Sequence, residues 1–202
     1  MRLMFVNCKA KVDLKSLIKK IKLKDFAIYC SIQYLDEVKK YFPDVRLITG
    51  CSRVKTTKKN ILYIGDGLFH PLNLIHMDKP IWVLNPEIKK FYRIPETDLE
   101  IARKQEKGKL IKYYHSKTIG ILITIKPGQF SPKKYLSLNQ KLSLANKIKS
   151  RLEKKGKLCY IFVFDSLDVN EFENYPFIDV WVNTACPRIK DKRIINLRDI
   201  PL

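Results

Sequence analysis

Val180-Trp181-Val182-Asn183-Thr184-Ala185-Cys186 decides how the chain is read: a short apolar run ends in Thr, a small residue and Cys. Far upstream, Val45-Arg46-Leu47-Ile48-Thr49-Gly50-Cys51 repeats the pattern. Short apolar runs bounded by turn residues read as strands, and open α/β sheets carry their ligand chemistry just beyond the carboxyl ends of such strands. Both thiols fall there. The repeat predicts an α/β fold of two similar units with parallel sheets wound from βαβ elements. The two cysteine-bearing strands are expected to be equivalent, facing a ligand cleft between the units, with Cys51 and Cys186 sharing a metal or cluster site.

Around these two stretches, strands and helices alternate, as a parallel sheet with crossover helices requires. The first unit, residues 1–94, starts with a strand over 3–6 and a helix capped by Asp13, whose Leu14, Leu17, Ile18 and Ile21 share one face. A strand at 26–30, a helix near 33–41 stopped before Pro43, the Cys51 strand, and strands at 61–64 and 81–84 follow. A charged segment at 95–116 reads as a linking helix capped by Thr97 and interrupted or ended near Gly108. The second unit, 117–202, has a strand over 118–125 and a helix opened by Ser131-Pro132 that lasts to about residue 155. A strand over 157–164, a helical turn near 169–173, the Cys186 strand and a last edge at 194–197 complete it.

With 46% hydrophobic and 11% aromatic residues, the 202-residue chain has the material for a core, and it is excluded from the disordered class. Its longest apolar runs fall far short of the about 20 residues that span a bilayer, so no membrane association is expected. With no signal-peptide pattern in residues 1–6, which read as a first strand, a cytoplasmic location is the expectation. Five cysteines, odd in number and not closely paired, fit reduced thiols better than a disulfide framework. The net charge of +20 attracts acidic partners or nucleic acid. A lysine-rich proteome is the alternative source, since the lysines are spread along the chain.

Three further stretches carry chemistry. In Tyr63-Ile64-Gly65-Asp66-Gly67-Leu68-Phe69-His70-Pro71, the glycines permit close backbone approach and Asp66 can accept hydrogen bonds from a ligand; a plain tight turn explains the same residues. In Lys126-Pro127-Gly128-Gln129, Lys126 and Gln129 can hold a carboxylate by charge and amide hydrogen bonds. The stretch lacks the Gly-Lys-Ser/Thr ending of a phosphate loop. After Cys186, the Arg188 guanidinium favours thiolate over thiol. Zinc is the inorganic competitor, but no Cys-x-x-Cys pair occurs. His70 and His76 lack the spacing of a zinc pair, and Cys159 sits mid-strand as a packing residue.

Taken together, Gly50-Cys51, Tyr63 to Pro71, Lys126-Pro127-Gly128-Gln129 and Asp179-Val180-Trp181-Val182-Asn183-Thr184-Ala185-Cys186-Pro187-Arg188 resemble the diphthamide-synthesis enzyme family, typified by the archaeal 2-(3-amino-3-carboxypropyl)histidine synthase. The resemblance runs in order over nearly the whole chain, starting at the family's second domain. It implies three similar α/β domains, each giving one cysteine to a 4Fe-4S cluster, with S-adenosylmethionine bound at the iron that has no protein ligand. By that resemblance Cys51 and Cys186 are the second and third cluster ligands. Lys126, Gln129 and Arg188 become candidates for holding the methionyl carboxylate, and Asp66 and His70 for shaping the pocket. The implied reaction transfers the 3-amino-3-carboxypropyl group to a histidine of elongation factor 2.

The first domain and its cysteine have no counterpart in this sequence, so the resemblance implies a partner: a separate chain supplying the missing domain and third cysteine, or a homodimer donating Cys30 or Cys8. Cys30 is also a candidate replacement ligand within the chain. Two other functions stand beside this one: a non-catalytic partner or scaffold subunit of the enzyme, and a basic nucleic-acid-binding protein. The latter lacks the interleaved aromatic and basic signature of common RNA modules.

Overall fold

The computed structural model describes residues 6, 8–19, 21, 24–49, 52, 54–126, 137–187 and 189–201. The chain divides into two compact units, residues 1–103 and 104–202.

In the first unit, α1 (Lys15–Ile18) follows Asp13, whose carboxylate accepts the Lys15 N–H at 3.0 Å. Leu14 is buried beside it, with Leu17, Ile18 and Ile21 packed on the same cluster. Next come β1 (Phe26–Cys30), α2 (Leu35–Lys39), β2 (Arg46–Leu47), β3 (Asn60–Ile64), α3 (Phe69–Leu72), β4 (Ile81–Asn85) and β5 (Lys90–Arg93). The expected strand over 3–6 lies outside the described residues apart from Val6. The sheet order is β2-β1-β3-β4-β5. The first four strands are parallel, and β5 returns antiparallel to β4. This hairpin is absent from the sequence reading. The side-chain Oδ1 of its Asn85 accepts the N–H groups of Glu87 and Ile88, and Trp82 stacks on Phe91 at 5.1 Å between ring centres, so a side-chain-bonded turn and one aromatic pair define it. Alternate residues of β3 feed opposite faces: Ile61 and Tyr63 one cluster, Leu62 and Ile64 the other. That two-sided burial is what a parallel sheet covered on both faces requires.

Helix α4 (Glu96–His115) starts in the first unit and ends in the second. It runs through Gly108 unbroken, because a single glycine costs only about 1 kcal/mol in a helix. Leu99 and Tyr113 are packed into cores near its two ends. Thr97 lies inside the helix instead of capping it; the Pro95 carbonyl accepts from Leu99.

The second unit contains β6 (Thr118–Thr124), α5 (Leu138–Glu153), β7 (Leu158–Phe164), β8 (Val180–Asn183) and β9 (Ile194–Asn196), in an all-parallel sheet ordered β7-β6-β8-β9. Helix α5 is opened by Ser137 in a capping box with Gln140. Ser137 is extended, so no helix continues through it from Ser131-Pro132, which lies outside the described residues. The Ser-x-x-Gln signal, two reciprocal bonds to otherwise unpaired N–H groups, is the stronger helix start. Ala145, Ile148 and Leu152 of α5 pack on Ile119, Ile121 and Val182, while Trp181 stacks on Phe172 at 4.2 Å on the other side.

The topology corrects one expectation. Among the described residues the first strand of each sheet is internal, with the second on one side and the third and fourth on the other. Cys51 follows the second of these strands in its unit, β2, which lies at the edge of the described sheet with both residues exposed. Cys186 follows the third strand of its unit, β8, internal with all four residues buried. The two cysteine-bearing strands are therefore not equivalent; the counterpart of β8 is β3, which leads into Gly65-Asp66-Gly67.

Candidate functional site

Ligand chemistry on such sheets belongs at the carboxyl ends of the central strands. In the second unit those ends are β6 and β8. Asn183, the last residue of β8, is 2% exposed. Its side-chain amide donates to the Cys186 carbonyl at 3.0 Å and to Asn196 Oδ1 at 3.1 Å, and its own Oδ1 accepts the Ala185 N–H at 2.8 Å. Thr184 donates its hydroxyl to the Leu122 carbonyl at 2.7 Å. One buried asparagine thus pins the turn on which Cys186 stands, and one threonine ties that turn to β6. Cys186 itself is half-buried.

At the end of β6, Lys126 is fixed at three points. Its N–H donates to Thr124 Oγ1 at 3.1 Å, its carbonyl accepts from the Lys141 ammonium at 3.3 Å, and its own ammonium donates to Ser166 Oγ at 2.9 Å. Lys141 also donates to the Thr124 carbonyl at 2.8 Å. The sequence alone assigns no positioning role to Asn183, Thr184 or Lys141. The asparagine and threonine were visible inside the cysteine stretch, and the lysine as a break in the apolar stripe of α5.

In the first unit, Asp66 is exposed, and its carboxylate accepts from Gln33 Nε2 at 3.1 Å, joining the turns after β1 and β3. His70 lies 5.9 Å from the Tyr63 ring and 5.1 Å from Phe69, centre to centre. Burial pushes the Tyr63 hydroxyl up to about 12. The glycines here serve the protein itself. A Cβ on Gly65 would stand 2.4 Å from the Tyr63 hydroxyl oxygen and 2.8 Å from Ser31 Oγ, and Gly67 has the left-handed φ of 65° that a tight turn requires. Close approach of Gly65 is to Tyr63 and Ser31.

The remaining thiols differ from Cys186. Cys30 is fully buried, and burial pushes its thiol up to about 12. Cys159 is buried in the core beside α5, and burial pushes it up to about 11. Both are enclosed in the core, and Cys30, 0% exposed, does not fit a thiol donated across a dimer interface or reaching out to a shared cluster. Cys8 is exposed. His76 bonds the carbonyls of Asn73 and Val54. Cys51, Gln129 and Arg188 lie outside the described residues. The flanks of Cys51 are described: the Ser52 hydroxyl accepts the Thr49 N–H at 2.9 Å, and Asn73 Nδ2 donates to the Ser52 carbonyl at 3.0 Å. Among the described residues no group of three His, Cys, Asp or Glu side chains is gathered to hold a metal ion, and no helix is long and apolar enough to cross a membrane.

A parallel sheet with a half-buried thiol on a pinned turn beyond one internal strand, and a fixed lysine at the end of the neighbouring one, defines an α/β protein with candidate ligand groups at its strand ends. Residues 1–192 match the model of the family described as "Putative diphthamide synthesis protein", and the chain belongs to that family. It is similar to the 2-(3-amino-3-carboxypropyl)histidine synthase of Pyrococcus horikoshii, 30% identical over 145 residues, which are 70% of this chain and 38% of the relative. To the enzyme of the same name from Methanocaldococcus jannaschii it is 27% identical over 184 residues, 88% of this chain and 49% of the relative. The chain therefore spans less than half the length of these curated relatives. Two crystal structures of Dph2 from Pyrococcus horikoshii share the fold. One matches with TM-score 0.72 at 23% identity, over 95% of this chain and 62% of that one. The other, with a 4Fe-4S cluster, matches with TM-score 0.68 at 24% identity, over 92% and 59%.

Proposed function

We propose that this chain is part of a 4Fe-4S enzyme that transfers the 3-amino-3-carboxypropyl group from S-adenosylmethionine to a histidine of elongation factor 2, the first step of diphthamide formation. The observation that carries this reading is the family match over residues 1–192 together with a half-buried Cys186 on the turn pinned by Asn183.

The donor set fits a share in such a cluster: Cys186 is a soft ligand held away from the core, whereas Cys30 and Cys159 are buried thiols. Cys51 and Cys186 are the thiolates this chain contributes. When bound, the cluster supplies the electron that cleaves a carbon–sulfur bond of the sulfonium. The chain's own residues bind and orient. The Lys126 ammonium, fixed beside the β6 end, pairs with the methionyl carboxylate, with Gln129 and Arg188 in the same role. Asp66 accepts hydrogen bonds from the co-substrate, and His70 shapes the pocket wall.

A site-differentiated cluster takes three thiolates, and Cys51 and Cys186 are two of them in this proposal. The third is proposed to come from a partner, a separate chain carrying a further α/β domain, with a second copy donating exposed Cys8 as the rival. The net charge of +20 speeds association with an acidic partner or with elongation factor 2. The test is anaerobic reconstitution, alone and with a candidate partner chain, followed by assay of S-adenosylmethionine cleavage and of modified elongation factor 2. Activity only with the partner is expected. Full activity of the isolated chain contradicts the partner requirement, and no activity in either case contradicts the enzyme reading in favour of a scaffold subunit.

A further inference from the structure

Helix α5 buries four positions, Lys141, Ala145, Ile148 and Leu152. The spacing of four, three and four is the core-facing stripe of an amphipathic helix. Three of the four are apolar, and the first is a lysine only 4% exposed.

Its situation is electrostatically poor. Lys141 lies in the first turns of α5, near the positive end of the helix dipole, and burial holds its ammonium below the ordinary lysine value. Among the described residues no carboxylate pairs with it. A buried charge without a counter-charge is costly, and an apolar side chain of similar length avoids the cost. Such a local violation of pattern marks a position that serves something other than stability. What the ammonium does is donate to the Thr124 carbonyl at 2.8 Å and the Lys126 carbonyl at 3.3 Å. The second is the backbone carbonyl of Lys126 itself, and the first belongs to the last residue of β6, two positions before it.

We propose that Lys141 is a positioning residue for the co-substrate site: it clamps the backbone at the end of β6 so that Lys126 presents its ammonium to a carboxylate in a preset geometry. This rests on the reading of Lys126 as the carboxylate-binding group. Preorganisation of this kind lowers the ordering cost at the moment of binding, and it accounts for a cation buried where a leucine or methionine fits the pattern.

The experiment compares the wild-type chain, reconstituted as in the activity test, with Lys141→Met, reading thermal denaturation, calorimetric affinity for S-adenosylmethionine, and amide hydrogen exchange at Ile125 and Lys126. Expected for Lys141→Met are an unchanged or higher midpoint of denaturation, faster exchange at those amides, and about tenfold weaker binding. Should Lys141→Met not fold, Lys141→Gln, which keeps one amide donor without the charge, is read by the same measures. Wild-type affinity with unchanged exchange overturns the proposal. So does a fall in affinity that only tracks a fall in the denaturation midpoint, since that marks a structural strut. If the wild-type protein binds no S-adenosylmethionine, the functional reading fails, while the exchange comparison still decides whether Lys141 clamps the strand end.

Discussion

The chain around Cys51 and the chain around Cys186 share a sequence pattern and differ in almost every physical respect. Before Cys186, the four residues of β8 are all buried between β6 and β9, and a buried asparagine pins the following turn. Before Cys51, the two residues of β2 are exposed at the edge of the sheet among the described residues, and the flanking bonds run from exposed Thr49 to the hydroxyl of Ser52 and from Asn73 to the Ser52 carbonyl. A strand in mid-sheet inherits its rigidity from two neighbours, whereas an edge strand has one. The difference teaches that Cys186 follows a turn pinned from a buried strand end, whereas the described neighbours of Cys51 are tied by exposed or half-buried side chains, Thr49 to Ser52 and Asn73 to the Ser52 carbonyl. A shared motif does not imply a shared place in the sheet.

The largest expected effect that separates the two regions is on folding. Trp181→Ala removes a ring 1% exposed and packed on Phe172 and Phe162, a loss of about 3–5 kcal/mol. Leu47→Ala, at a position 37% exposed, costs about 0.5 kcal/mol or less. Urea unfolding measures both, and comparable costs would break the distinction between centre and edge. Next in size are the turns themselves. Asn183→Ala strands the Ala185 N–H and the Cys186 carbonyl, at about 1–3 kcal/mol, while Ser52→Ala at its more exposed site costs about 0.5 kcal/mol. An equal response would show that the Cys51 turn is as firmly built as the other.

The smallest effect is the acid response of the second sheet. The N–H of Thr118, and then that of Lys117, donate to the Asp179 carboxylate at 2.8 Å, holding its pKa below the ordinary carboxylate value. The folded pKa lies below the unfolded one, so its contribution is complete above the unfolded value and is lost as pH falls through the folded one. Wild-type stability therefore drops below about pH 4. Asp179→Asn is expected to flatten part of that drop in unfolding curves taken across pH 2 to 6; an unchanged pH profile removes the carboxylate from the account.

The α/β class was legible because buried parallel strands are short apolar runs: 61–64, 81–84, 118–124 and 180–183 announce themselves by composition alone. Strand order was not legible. Nothing in Val45 to Cys51 says that its strand lies on an edge, since Val45 and Ile48 are buried while Arg46 and Leu47 between them are exposed. Residues 90–93 hid β5 because a largely exposed strand of Lys, Phe, Tyr and Arg has no apolar run to mark it. At the site, the identity of the chemistry-bearing residues came from motif, but what holds them did not. Asn183 acts through backbone groups of Ala185 and Cys186, and Lys141 through backbone carbonyls far from it in sequence, and backbone partners leave no trace in residue type. Of the two readings open for Gly65 and Gly67, room for a ligand or a plain tight turn, the left-handed φ of Gly67 agrees with the turn, while the close approach of Gly65 to the Tyr63 hydroxyl leaves no trace in residue type.

The central claim is that Cys186, on its pinned turn, is a cluster thiolate and that the buried thiols are not. Iron and acid-labile sulfide should be measured after anaerobic reconstitution with excess small thiol, which fills any ligand position the chain leaves open, in wild type, Cys186→Ser, Cys51→Ser, Cys30→Ser and Cys159→Ser. The account predicts that wild type, Cys30→Ser and Cys159→Ser retain iron and sulfide in equal amounts, while Cys186→Ser and Cys51→Ser lose most of both. A Cys186→Ser protein that holds as much iron and sulfide as wild type would contradict it.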